Sequence, residues 1–110
     1  MANCFKDALE SMGFSGDSIE ALPPTVHSQD AIWFAIDLGL EPVASCDAKF
    51  GGSRQDDEGI VLYRHEGDRD GHAEYVCPIK NVLWEIGPYA FIYAILMRPN
   101  NNTPPEAPGL

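Results

Sequence analysis

Three side chains in this 110-residue chain have the types that acyl transfer uses: a thiol at Cys4, an imidazole at His72 and a carboxylate at Glu85. Cys4 follows Asn3, whose amide oxygen can cap a helix, so Cys4 takes a first-turn position where unpaired N–H groups and the helix dipole favour a thiolate. His72 and Glu85 fall in two runs that read as extended, His72 to Cys77 and Val82 to Ile86, with a turn at Pro78 to Lys80 between them. Placing Ala73, Tyr75 and Cys77 on the same apolar face as Val82, Trp84 and Ile86 requires paired residue numbers that sum to an odd value. Any such register puts Glu85 on the face of His72. One sets the two opposite each other; the next sets Glu85 opposite Glu74, with His72 one step along. A carboxylate so placed would orient the ring and stabilise its protonated form. The blander reading is a solvated polar face on the hairpin and, for Cys4, a small apolar residue near a chain end.

The elements that must position these groups follow from spacing. Phe5, Ala8, Leu9 and Met12 recur at helical intervals, which predicts an amphipathic helix from Cys4 to Met12 stopped by Gly13. A short helical turn at Ser18 to Leu22 ends at Pro23-Pro24. Ser28 then caps a second main helix, with Asp30 in its first turn and Ile32, Trp33, Ile36 and Leu38 on its apolar side, up to Gly39. Beyond Gly39 the period changes. Leu40 to Ser45 reads as extended, Asp47 to Gly59 as a charged, glycine-containing loop, and Ile60 to Arg64 as a strand. Glu66 to Gly71 is a polar turn. Tyr89 to Met97, apolar throughout, fits a central strand or a buried helix, and strand is the preferred reading. Helices first and strands afterwards predict an α+β fold, with N-terminal helices on one face of a small C-terminal antiparallel sheet. Residues 1–98 are expected to form one domain, and 99–110, rich in Pro and Asn, a disordered tail.

Composition bounds the rest. Seventeen acidic against seven basic residues give a net charge of −10, which disfavours direct binding to nucleic acid or an anionic membrane surface. No apolar run approaches the ~20 residues of a membrane span, and no secretory signal is visible at the start. A cytoplasmic, reducing setting is expected. Cys4, Cys46 and Cys77 are odd in number and widely spaced, which argues against a disulfide framework or a four-cysteine zinc site. No cofactor or metal is expected. Asp68-Arg69-Asp70-Gly71 lacks the further ligands of a calcium loop, and Gly51-Gly52-Ser53-Arg54 lacks the lysine and flanking elements of a phosphate loop.

In its order of parts the chain resembles the papain-like cysteine peptidase superfamily, in particular its small bacteriocin-leader-processing members. The resemblance rests on Asn3-Cys4-Phe5-Lys6-Asp7-Ala8-Leu9, similar to the start of that family's nucleophile helix, and on Ala35-Ile36-Asp37-Leu38-Gly39-Leu40, similar to its later helix end. It continues through Gly59-Ile60-Val61-Leu62, Gly71-His72-Ala73-Glu74-Tyr75-Val76 and Val82-Leu83-Trp84-Glu85-Ile86-Gly87-Pro88. It implies a papain-like order of elements, with Cys4 as nucleophile, His72 as base and Glu85 as the group that holds the ring. The sequence departs from the family in two ways. Only Met1, Ala2 and Asn3 precede Cys4, so the family's oxyanion-stabilising glutamine is missing, and the third residue is Glu where Asp or Asn is commoner. One such donor is typically worth about 2.7–4 kcal/mol of barrier.

Two function classes follow. One is a thiol peptidase or amidase, or an inactive relative with the same groove. The other is a small acidic interaction or inhibitor protein, of the kind found in viruses and mobile elements, that covers a basic surface of a partner. Seven of the 17 acidic residues lie between Asp56 and Glu74, around the strand that bears His72. Either class therefore points to a peptide or protein partner of basic character; the oligomeric state stays open.

Overall fold

A computed structural model describes residues 4–43 and 56–98. The expected Asn3 cap, Cys46, the glycine-containing stretch at 51–54 and the 99–110 tail lie outside the described residues. The fold is α+β. Helices α1 (Cys4–Ser11), α2 (Asp17–Glu20) and α3 (Ser28–Asp37) come first. Strands β1 (Glu41–Val43), β2 (Gly59–His65), β3 (His72–Val76) and β4 (Ala90–Met97) then form one antiparallel sheet in the order β1-β4-β2-β3. A 3-10 turn (Ile79–Asn81) and a fourth helix, α4 (Val82–Ile86), lie between β3 and β4.

Helices α1 and α3 end by the same device. Gly13 and Gly39, with φ near 100° and 94°, take the left-handed conformation that glycine adopts without steric cost. Phe14 N–H then bonds to Leu9 O and Gly13 N–H to Glu10 O; Leu40 N–H bonds to Ala35 O and Gly39 N–H to Ile36 O. This Schellman arrangement satisfies the last carbonyls of each helix. The start of α3 differs from expectation by one residue. His27 is its cap, because the His27 carbonyl accepts the Ala31 N–H, and Ser28 is the first helical residue without a side-chain capping bond.

The sheet separates two apolar clusters. On one side Ile60, Leu62, Ala73, Ala94 and Leu96 pack against Phe5, Ala8, Leu9, Ile19, Ala31 and Ala35 from the three N-terminal helices and against Met12 just past α1. On the other, Val61, Tyr63, Val76, Ile92, Ile95 and Met97 pack against Ile79, Val82 and Ile86. Strand β2 is buried on both faces, so it reads as an apolar run rather than an alternation. The β2–β4 register shifts by one between Leu62↔Ala94 and Tyr63↔Ile92, leaving Tyr93 as the extra residue of a bulge. Among the described residues no helix is long and apolar enough to cross a membrane.

One expected strand is corrected. Val82–Ile86 is helical, and β3 pairs with β2 across the turn at residues 66–71, with Tyr63 opposite His72 and Val61 opposite Glu74. The expected hairpin between residues 72–77 and 82–86 is therefore absent. A strand would have buried residues 82, 84 and 86. The helix buries Val82 and Ile86, one turn apart, and turns Trp84 outward at 89% exposure. Cys77, expected on the core face, lies past the end of β3 and is exposed. Tyr89 to Met97 forms the preferred strand, from Ala90 onward.

Candidate functional site

Cys4 is the first residue of α1, and the burial of Phe5, Ala8 and Leu9 clamps this helix alongside β3. Among the described residues strand β3 is the last in the sheet, so one of its edges has no strand neighbour there. There the Ala73 N–H donates to Cys4 Sγ at 3.3 Å. That bond fixes which backbone groups face outward. Ala73 turns its N–H away from β2, so Leu62↔Ala73 is a non-hydrogen-bonded pair, and two residues on, Tyr75 also directs its N–H and C=O to the open edge. Standard backbone dimensions then place the Cys4 sulfur within about 6 Å of the His72 Cα.

The imidazole of His72 meets Asp68, with Nε2 and Oδ2 3.1 Å apart. Asp68 reaches back because the turn after β2 folds tightly: its N–H bonds to His65 O, and Gly67 takes φ near 89°. The His72 ring lies 5.5 Å from that of Tyr63, and both it and the His65 ring, 5.3 Å from Tyr63, sit on the α4 side of the sheet. The Tyr63 hydroxyl donates to Glu74 Oε1 at 3.2 Å. Burial foremost, then the Glu74 carboxylate, with smaller contributions from Cys4 and Asp68, pushes Tyr63 up to about 12. The phenol therefore stays protonated and keeps donating to Glu74.

A groove of about 290 Å³ runs along the open edge of β3. Cys4, Asp7, Ala8 and Ser11, spaced as one stripe of α1, form one wall; Ala73, Glu74 and Tyr75 form the other. Cys4 stands at its end. A smaller hollow is lined by Asp68, Arg69, Asp70 and His72.

The structure thus brings Cys4 to the residue next to His72, while Glu85 is exposed on α4, whose helical form removes the register that set it beside His72. The carboxylate at the ring is Asp68, from the Glu66 to Gly71 stretch whose composition predicts only a polar turn. The available signal was Asp68 four residues before His72 with glycines at 67 and 71, a spacing that lets a turn fold a carboxylate back onto a strand's first residue. Among the described residues no group of three or more His, Cys, Asp and Glu side chains is arranged to hold a metal ion. Compared with family models, curated proteins and solved structures, the chain matches none.

Proposed function

We propose that the chain is a thiol hydrolase of papain-like type, a peptidase or amidase in which Cys4 is the nucleophile and His72 the base, with Asp68 rather than Glu85 orienting the ring. The observation that carries this reading is the Cys4 sulfur at the start of α1, bonded to the N–H that follows His72, while the imidazole is held by Asp68. The thiolate attacks the acyl carbon and a C–S bond forms. As the C–N bond breaks, His72 protonates the leaving amine, and water then cleaves the thioester and restores the thiol. The first-turn amides of α1, which have no partner within the helix, offer donors for the oxyanion.

A second, non-catalytic reading is an interaction protein for a basic partner. The net charge and the exposed aromatics Trp84, Tyr89 and Phe91 favour it. Alkylation separates the two, because exposed Cys77 is a built-in reference. Under limiting iodoacetamide at pH 7, mass spectrometry should find Cys4 modified faster than Cys77 despite its partial burial, with the advantage lost in His72→Ala. A Cys4 no more reactive than Cys77, and indifferent to His72, would rule out the hydrolase.

A further inference from the structure

The open edge of β3 has a consequence for what the groove holds. At Ala73 the outward N–H is taken by Cys4, so no further strand can pair there. At Tyr75 the outward N–H and C=O face the groove between β3 and α1. The facing stripe of α1 is small and polar, Cys4, Asp7, Ala8 and Ser11, leaving room beside the strand instead of filling it. None of the lining residues is basic, and two, Asp7 and Glu74, are carboxylates in a chain of net charge −10.

The geometry points to an extended, lysine- or arginine-bearing peptide that adds as a short fifth strand to the outer edge of β3, one residue pairing with Tyr75 and its cationic side chains meeting Asp7 or Glu74. Main-chain bonds to an exposed edge supply affinity, and alternate side chains supply selectivity. Because Ala73 lies two residues from Tyr75, the peptide carbonyl that reaches Cys4 belongs to a residue two along from the one paired with Tyr75. Only this last point rests on the hydrolase reading; binding does not require turnover.

The test measures binding to the full chain carrying Cys4→Ser, which keeps an acceptor for Ala73 N–H and blocks turnover. The probe is a fluorescein-labelled peptide of alternating lysine and valine, followed by anisotropy at low salt. Two N-methylated isomers, one modified at every lysine and the other at every valine, each block one edge of the extended peptide. One isomer should bind at least tenfold more weakly than the parent, through lost main-chain bonds and steric clash, and the other close to it. Asp7 and Glu74 flank the edge from opposite faces of the sheet, so the lysines of an alternating peptide meet only one of them. One of Asp7→Asn and Glu74→Gln should therefore weaken binding by about threefold, as expected for a partly exposed charge pair, with the other close to the parent. A glutamate-for-lysine peptide should not bind. Equal behaviour of the two isomers, no uptake of the parent peptide, or insensitivity to both carboxylate variants would overturn the proposal. So would a chain that sediments as a dimer and excludes the peptide, which would assign the edge to a second copy. Binding as expected with unreactive Cys4 would leave the strand addition standing and remove the hydrolase alone; reactive Cys4 without peptide binding would do the reverse.

Discussion

The two faces of the sheet are covered very differently. On one side three helices bury a continuous cluster from Phe5 to Leu96, and the end of α1 is fastened by Arg98, which donates to Glu58 Oε1 at 2.6 Å and to the Met12 carbonyl and stacks 5.1 Å over Phe14. On the other side, among the described residues, the helical cover is a 3-10 turn and the five residues of α4, which bury Ile79, Val82 and Ile86 but leave Leu83 and Trp84 outside, with Tyr89 exposed beyond them. The rings of Tyr63, His65 and His72 gather on this thinner side. Cys4 arrives with the thick layer and His72 with the thin one, and the two approach at the edge where β3 ends the sheet. Folding stability and candidate chemistry therefore draw on different layers, joined through one strand.

The largest expected effect tests that separation. His72→Ala should lower turnover of a lysyl-peptide coumarin amide by about 10²–10⁴-fold, the usual contribution of a general base. The urea midpoint should barely move, since His72 is only half-buried. A large stability loss with unchanged turnover would break the comparison. Next in size is the thick layer itself. Leu9 is fully buried, so Leu9→Ala should cost about 2–5 kcal/mol in urea denaturation. Val82→Ala, on the thin layer, removes two buried carbons and should cost about 2 kcal/mol at most. Equal losses at the two sites would mean that α4 anchors the fold as strongly as α1.

Smaller effects divide along the pH axis. Burial works against ionisation of Glu58, but hydrogen bonds from Tyr75 and Arg98 and the Arg98 charge outweigh it and hold the carboxyl below its usual 4.5. A lowered folded value means stability present above pH 4.5 and lost as the pH falls below it, so Glu58→Gln should flatten the acid limb of the urea-midpoint profile. Tyr63 is shifted the other way, to about 12. Its contribution is complete below pH 10 and lost as the pH rises from 10 towards 12. Tyr63→Phe should flatten part of that alkaline limb. Tyr75, raised first by its bond to Glu58 and then by burial, accounts for another part and stays in the thick layer. Each substitution should cost about 1 kcal/mol near neutral pH, the net worth of one hydrogen bond. An acid limb abolished by Tyr63→Phe would show that the layers are not separable.

The thick layer was also the readable one. Helix α1 has two turns of apolar spacing and a glycine stop that together select one conformation. In α3 the length and the glycine stop select the helix, but it buries Ala31 and Ala35, while Trp33 and Ile36, expected on its apolar side, are exposed at 59% and 39%. Strand β2 was readable as a short apolar run flanked by loops. What failed was local ambiguity resolved by distant contacts. Five residues, Val82 to Ile86, satisfy both periods, and the choice fell to Ile79 and its backbone bond to Asp57 O at 2.7 Å, which turn the chain under the sheet before α4 begins. The site was readable to the same degree. Cys4 at a helix start and His72 at a strand start follow from local pattern, whereas their approach depends on β3 pairing with β2 and ending the sheet. Asp68 was missed because turn composition reports exposure and is silent on which way a carboxylate folds.

Trp84 is where that ambiguity has a measurable size. Were Val82–Ile86 a strand with Trp84 in the core, Trp84→Ser would remove one of the largest buried side chains in the chain and cost about 3–5 kcal/mol. On α4 the indole is 89% exposed, and its loss deletes little buried area, so the urea midpoint should shift by no more than about 0.5 kcal/mol. Tryptophan fluorescence gives a second reading on the same side chain. The chain has two tryptophans, and Trp33 is also exposed at 59%, so emission should be red-shifted and quenched by iodide in the folded protein, with Trp84→Ser removing the more accessible component. A blue-shifted component lost on substitution, with a cost of several kcal/mol, would place Trp84 in a core and make the thin layer as thick as its opposite.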